Sequence, residues 1–181
     1  MHQSIYKTYL STYLFNLQTD IDFLKNIEMP VFDALEIDCS RIDIEHPGWI
    51  KYLLEKNIDT VCSVLYYITL SEGEECNTVL KKAAEAKKRT EISLPKINHS
   101  SKSNVLYVGK TNSNFPSRFI YHLGLKESKT YALYLKQWAA EYTFTLHFAK
   151  ICFAQDNMKY LEQMETVLHD SLKPLLGRTG H

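Results

Sequence analysis

Five side chains in the second part of the chain could act together on a phosphate ester. They come in the order Tyr66, Tyr107, Arg118, His122 and Glu165. Arg118 offers a permanently charged planar fork that matches a phosphate, and His122 lies four residues on, one helical turn away on the same face. An imidazole there can donate a hydrogen bond or pass a proton. A carboxylate such as Glu165 can hold one Mg²⁺ that keeps most of its waters and takes a phosphate oxygen. Two strand tyrosines can aim their hydroxyls at one point. A phenol is a poor base at its free pKa of about 10, so a nearby cation would have to lower it. Together the groups suit hydrolysis of a phosphodiester, in which a water is activated, the phosphate neutralised and the leaving oxygen stabilised. Each also has an ordinary reading. With twelve Tyr in the chain, Tyr66 and Tyr67 fit plain strand aromatics, Arg118 and His122 a solvated helix face, and Glu165 a surface residue at the edge of Leu161, Met164 and Leu168.

The elements that must carry these groups are readable from periodicity and breakers. Thr60 to Leu70, rich in β-branched and aromatic residues, predicts a buried strand in which only one of Tyr66 and Tyr67 can face the site. Thr78 to Arg89 predicts an Ala- and Lys-rich helix, 93–104 a polar loop, and Val105 to Gly109 a second strand. Pro116 opens a helix that closes near Gly124. A further helix is expected over Thr130 to Ala140 and a third strand over Thr143 to Phe153. A last helix, capped by Asp156, should run to about Leu172 before Pro174. Residues 1–59 read as a mostly helical extension. Leu10, Tyr13, Leu14, Leu17, Ile21 and Leu24 make one apolar face, and Pro47 suits the first turn of a short helix through Trp49, Tyr52 and Leu53. The expected class is α+β, with a small three-stranded mixed sheet flanked by helices.

Composition narrows the partner. The chain has 181 residues, 45% of them hydrophobic, enough for a core without disulfide or metal support. Cys39, Cys62, Cys76 and Cys152 are scattered without a C-x-x-C pair, and the seven histidines show no metal-ligand spacing. The longest apolar run, Val61 to Leu70, falls short of a membrane span, and no signal-peptide pattern opens the chain, so a cytoplasmic protein is expected. Net charge is zero, yet residues 1–77 hold 5 basic against 13 acidic residues and residues 78–150 hold 13 against 4. That asymmetry points the middle segment towards a polyanion. The plainer reading is that the acidic and basic parts neutralise each other within the fold. Lys81, Lys82, Lys88 and Arg89, with Lys110 and Arg118, are the candidate nucleic-acid contacts, although the helical ones also fit a solvated face paired with Glu85.

On these residues the chain resembles the GIY-YIG nuclease family. Val64-Leu65-Tyr66 stands in place of the first motif and Tyr107-Val108-Gly109 in place of the second. Lys110-Thr111, the Arg118–His122 spacing, and Glu165 ahead of Lys173-Pro174 continue it in order across residues 60–178. The resemblance implies a Mg²⁺- or Mn²⁺-dependent endonuclease acting on DNA, with RNA left open, in a domain over 60–181 with 71–104 as an insertion. It implies Tyr66 as the base or water-orienting group, assisted by Tyr107, and Lys110 as an aid in lowering the Tyr66 phenol. Arg118 would clamp the phosphate, His122 relay a proton, and Glu165 hold the metal. Three departures stand out. Val64 replaces the first glycine, 41 positions separate Tyr66 from Tyr107, and Leu175-Leu176-Gly177-Arg178 lacks a closing Asn. Val64 and the missing Asn motivate a second reading, a catalytically inactive nucleic-acid-binding module. A third, weaker one is a protein-interaction domain working through its acidic N-terminal part.

Overall fold

The computed structural model describes residues 2–25, 30–59, 61–89, 92–127, 131–151 and 159–178. The chain forms two compact units, Met1–Val31 and Phe32–His181. The first contains the helix α1 (His2–Lys25), whose Leu10, Tyr13, Leu14, Leu17 and Ile21 are exposed along the predicted stripe. The second is α+β and holds every candidate site residue. Its elements are β1 (Asp33–Asp38), α2 (Ile42–Glu55), β2 (Ser63–Leu70), α3 (Cys76–Lys87), β3 (Val105–Thr111), α4 (Phe115–Leu123), β4 (Thr143–Ile151) and α5 (Lys159–Leu172). No helix among the described residues is long and apolar enough to cross a membrane.

The sheet has four strands in the order β1-β4-β2-β3, and every pairing is antiparallel. This corrects the expected three-stranded mixed sheet. The extra strand is β1, inside the segment read as mostly helical. Its sequence, DALEID, carries three acidic residues in six, which are depleted in strands, and pairing with β4 more than 100 residues later makes it a strand. The helix expected over Thr130 to Ala140 is also corrected. Only a 3-10 turn, Leu135–Gln137, forms there, after Tyr134 adopts a left-handed backbone conformation. Ala132, Leu133, Leu135 and Ala139 are all buried, so core packing overrides helix propensity in this stretch. Pro47 sits inside α2 rather than in its first turn. The Asp156 cap and the end of the third predicted strand at Phe153 lie outside the described residues.

Strand alternation divides the core. Val64, Tyr66 and Ile68 of β2 and Phe144, Leu146 and Phe148 of β4 face α4 and α2, meeting Phe115, Phe119, Leu123, Trp49 and Leu53. Leu65, Ala149 and Ile151 point the other way, onto Leu161, Met164 and Leu168 of α5. Helices α4 and α5 therefore cover opposite faces. Beyond β3 no further long strand pairs among the described residues. Its outer edge is closed by the 173–178 segment, where Leu175 and Leu176 donate backbone hydrogen bonds to Val105 and Leu106 at 2.8 Å. Asn98 from the loop before β3 pins this strap, its side-chain amide reaching the Pro174 carbonyl at 2.9 Å and the Gly177 carbonyl at 3.0 Å.

Candidate active site

Tyr66 lies on the central strand with no exposed surface, and its ring packs against Phe115. Its hydroxyl is the hub of a buried polar network. His122 Nε2 lies 2.8 Å from it, and Arg118 Nε donates to it at 3.4 Å. His122 Nδ1 accepts from the Leu133 backbone N–H at 3.2 Å. A neutral imidazole with Nδ1 as acceptor carries its proton on Nε2, so His122 donates to the Tyr66 oxygen. Burial and the adjacent Arg118 charge hold His122 well below its ordinary pKa, which agrees with that tautomer. Tyr66 thus accepts two hydrogen bonds and keeps its own proton to donate.

Helix α4 makes this arrangement possible. Asn114 caps it, accepting from Ser117 N–H at 3.3 Å, and Gly124 ends it in the left-handed conformation. Between them Arg118 and His122 fall on one face, as their spacing predicts. Arg118 is anchored further: Nη2 donates to the Tyr131 carbonyl at 2.8 Å, and the guanidinium also bonds the Tyr107 hydroxyl. Tyr107 stands two pairs along β3 from the position opposite Tyr66, on the same face, with the two rings 6.2 Å apart. Gly109, paired directly with Tyr66, is what lets them share that space. A Cβ there would lie 2.6 Å from the Tyr66 hydroxyl oxygen and 2.7 Å from a Tyr107 ring carbon. No side chain fits without moving both tyrosines.

The same register corrects the expected role of Lys110. Since Tyr66 pairs with Gly109, Lys110 pairs with Leu65 and points to the α5 face. There it bonds Glu162 at 3.1 Å, and its backbone N–H serves Glu165. It does not lower the Tyr66 phenol. Burial pushes Tyr66 up, the neighbouring Tyr107 adds to the rise, and Arg118 opposes it. Burial likewise raises Tyr107.

Glu165 sits on α5, on the other side of the sheet from α4. It lines the same cleft as Arg118 because β3 is the last long strand among the described residues, so a half-buried side chain at its border reaches the cleft. The cleft, about 690 Å³, is lined by Tyr107, Lys110, Arg118 and Glu165 together with Lys87, Lys96, Tyr131 and Arg178. Tyr66, with no exposed surface, does not line it and is linked to it through the Arg118 guanidinium. Burial raises the Glu165 carboxyl, while Lys110 and Arg118 pull it back. No group of three or more His, Cys, Asp or Glu fit to hold a metal occurs among the described residues. The donor set at Glu165, one carboxylate in an open cleft that Tyr107 also lines, fits a hard ion that retains water and binds through one carboxylate and a substrate phosphate.

The basic residues of α3 and of the turn after it point to different places. Lys82 and Arg89 line a separate hollow of about 430 Å³, where Lys82 pairs with Glu141 at 3.0 Å and Arg89 bonds the Gln137 carbonyl at 3.5 Å. Lys81 and Lys88 are exposed and line neither space. Lys87 enters the cleft instead, with Nζ on the Pro95 carbonyl at 2.7 Å and its pKa lowered by burial. It follows Ala83 by four and Leu80 by seven, so the buried stripe of α3 could have singled it out. Lys96, Tyr131 and Arg178 carry no such local signal, because long-range packing brings their segments to the cleft. No protein-family model, curated protein or solved structure matches this chain.

Proposed function

We propose that this chain is a divalent-metal-dependent endonuclease that hydrolyses phosphodiester bonds in DNA, with a site of the GIY-YIG type. One observation carries the reading: a strand tyrosine, a guanidinium that bonds the buried Tyr66 hydroxyl, and a helix carboxylate line a single cleft whose other charged groups, among the described residues, are cations. A wall of Lys87, Lys96, Lys110, Arg118 and Arg178 attracts a polyanion, and Glu165 is the one carboxylate among the lining residues.

Arg118 clamps the scissile phosphate and neutralises charge that grows on its oxygens. Tyr107, which lines the cleft, orients the attacking water, while Tyr66, buried beneath it, holds the Arg118 guanidinium in place. Burial keeps both phenols protonated, so neither takes the water's proton, which passes to solvent in the open cleft. His122 acts through Tyr66, as a positioning residue. The water oxygen bonds to phosphorus, the bridging ester bond breaks, and the leaving oxygen departs as an alcohol once protonated. Glu165 would hold Mg²⁺ or Mn²⁺, which supplies Lewis-acid polarisation of the phosphate.

The test is incubation with supercoiled plasmid and Mg²⁺. Nicked and linear products that vanish with chelator and in Arg118→Ala support the reading. A second reading, a binding module without catalysis, draws on the upward-shifted phenols and on the Gly177 turn. Salt-dependent DNA binding with no cleavage in either Mg²⁺ or Mn²⁺ would establish it instead.

A further inference from the structure

Resting on that reading of the cleft, we infer that Tyr131 stacks an unpaired base beside the scissile phosphate, so that the substrate is DNA with unpaired nucleotides at the cut rather than continuous duplex. Tyr131 is the one exposed aromatic residue among the described residues of the 32–181 unit, with 51% of its surface open. The other exposed large apolar residues of that unit, Ile44, Leu54, Val61 and Val167, are aliphatic and line no part of the cleft. Tyr131 lines it directly.

Its position is tied to the phosphate clamp. Arg118 Nη2 bonds the Tyr131 carbonyl at 2.8 Å, so ring and guanidinium belong to adjoining parts of one assembly. A nucleotide whose phosphate sits on Arg118 has its base one sugar away, within reach of that ring. In a duplex the base faces stay stacked on their neighbours and give an aromatic side chain nothing to cover. An unpaired or displaced base offers a free face, and base–aromatic stacking is worth about 1–3 kcal/mol. Lys87 and Lys96 supply the charge that tracks the backbone on either side, without regard to sequence.

The experiment compares two DNA oligonucleotides of equal length, a blunt duplex and a duplex with a single-stranded flap bearing 2-aminopurine at the junction. Binding is measured in a Glu165→Gln background so that no cleavage intervenes, and cleavage is measured with Glu165 intact. The inference predicts tighter binding and faster cutting of the flapped DNA, with quenching of 2-aminopurine on binding. Tyr131→Ala should abolish the quenching and cut the preference by about tenfold or more, while Tyr131→Phe keeps both. A preference that is absent in the parent, or unchanged in Tyr131→Ala with both DNAs still bound and cut, overturns the inference and leaves the nuclease reading in place. Failure to bind either DNA overturns the reading of the cleft and the inference with it.

Discussion

The two walls of the cleft are built differently. On the α4 side Tyr66, His122 and Arg118 form a buried network with fixed donors and acceptors. Tyr66 has no exposed surface and His122 only 1%. On the α5 side Lys110, Glu162 and Glu165 are charges of mixed exposure that can rearrange. The first wall is geometry set by packing. The second is electrostatics that an arriving ion or phosphate can alter. A site that must hold a water in place and also take up variable charge needs both kinds.

The largest effect expected is on the second wall. Glu165→Gln should lower the cleavage rate by about 10²–10³-fold, read from initial rates at saturating Mg²⁺, with DNA affinity kept. Arg118→Lys comes next, because an ammonium cannot reproduce the fork that spans Tyr66, Tyr107 and the Tyr131 carbonyl. About tenfold or more should be lost in kcat/KM, measured on the same plasmid. Gly109→Ala attacks the first wall. With a Cβ 2.6 Å from the Tyr66 oxygen, overpacking should cost about 1–3 kcal/mol in denaturant melts and displace both hydroxyls.

The first wall also predicts a pH effect. His122 is held neutral in the fold, its pKa lowered by burial. The unfolded chain binds that proton more readily, so stability rises with pH below the ordinary histidine value. The contribution is complete above about pH 6.5 and is lost as pH falls towards the depressed folded value. Thermal melts from pH 7.5 to 5 should show this slope, and His122→Asn should flatten it. His147 and His169, also shifted down, leave a remainder of the same sign. The smallest effect belongs to the second hollow. Lys82→Ala breaks only an exposed pair and should change stability by under about 1 kcal/mol, whereas Lys96→Ala in the cleft should reduce the salt slope of DNA binding by about one.

Much of the first wall was legible in the sequence because it rests on local periodicity. Alternation put Tyr66 and Tyr67 on opposite faces, and the structure has Tyr67 stacked on His147 away from the site. The i, i+4 step of Arg118 and His122 needed only a helix with a Pro start and a Gly end. The second wall depends on register and on which strand lies at the edge, and neither is local. A shift of one position decides whether Lys110 serves Tyr66 or Glu165. The same holds for β1, whose acidic sequence becomes a strand only against β4, and for the strap at Gly177. There the hydrogen-bonding amide comes from Asn98 across the fold rather than from an Asn in the segment itself.

The most direct measurement pairs binding with cutting for wild type and Glu165→Gln on one labelled oligonucleotide in Mg²⁺. The account predicts equal affinity in both proteins and product from the wild type alone. Equal product from both, or no affinity in either, would contradict it.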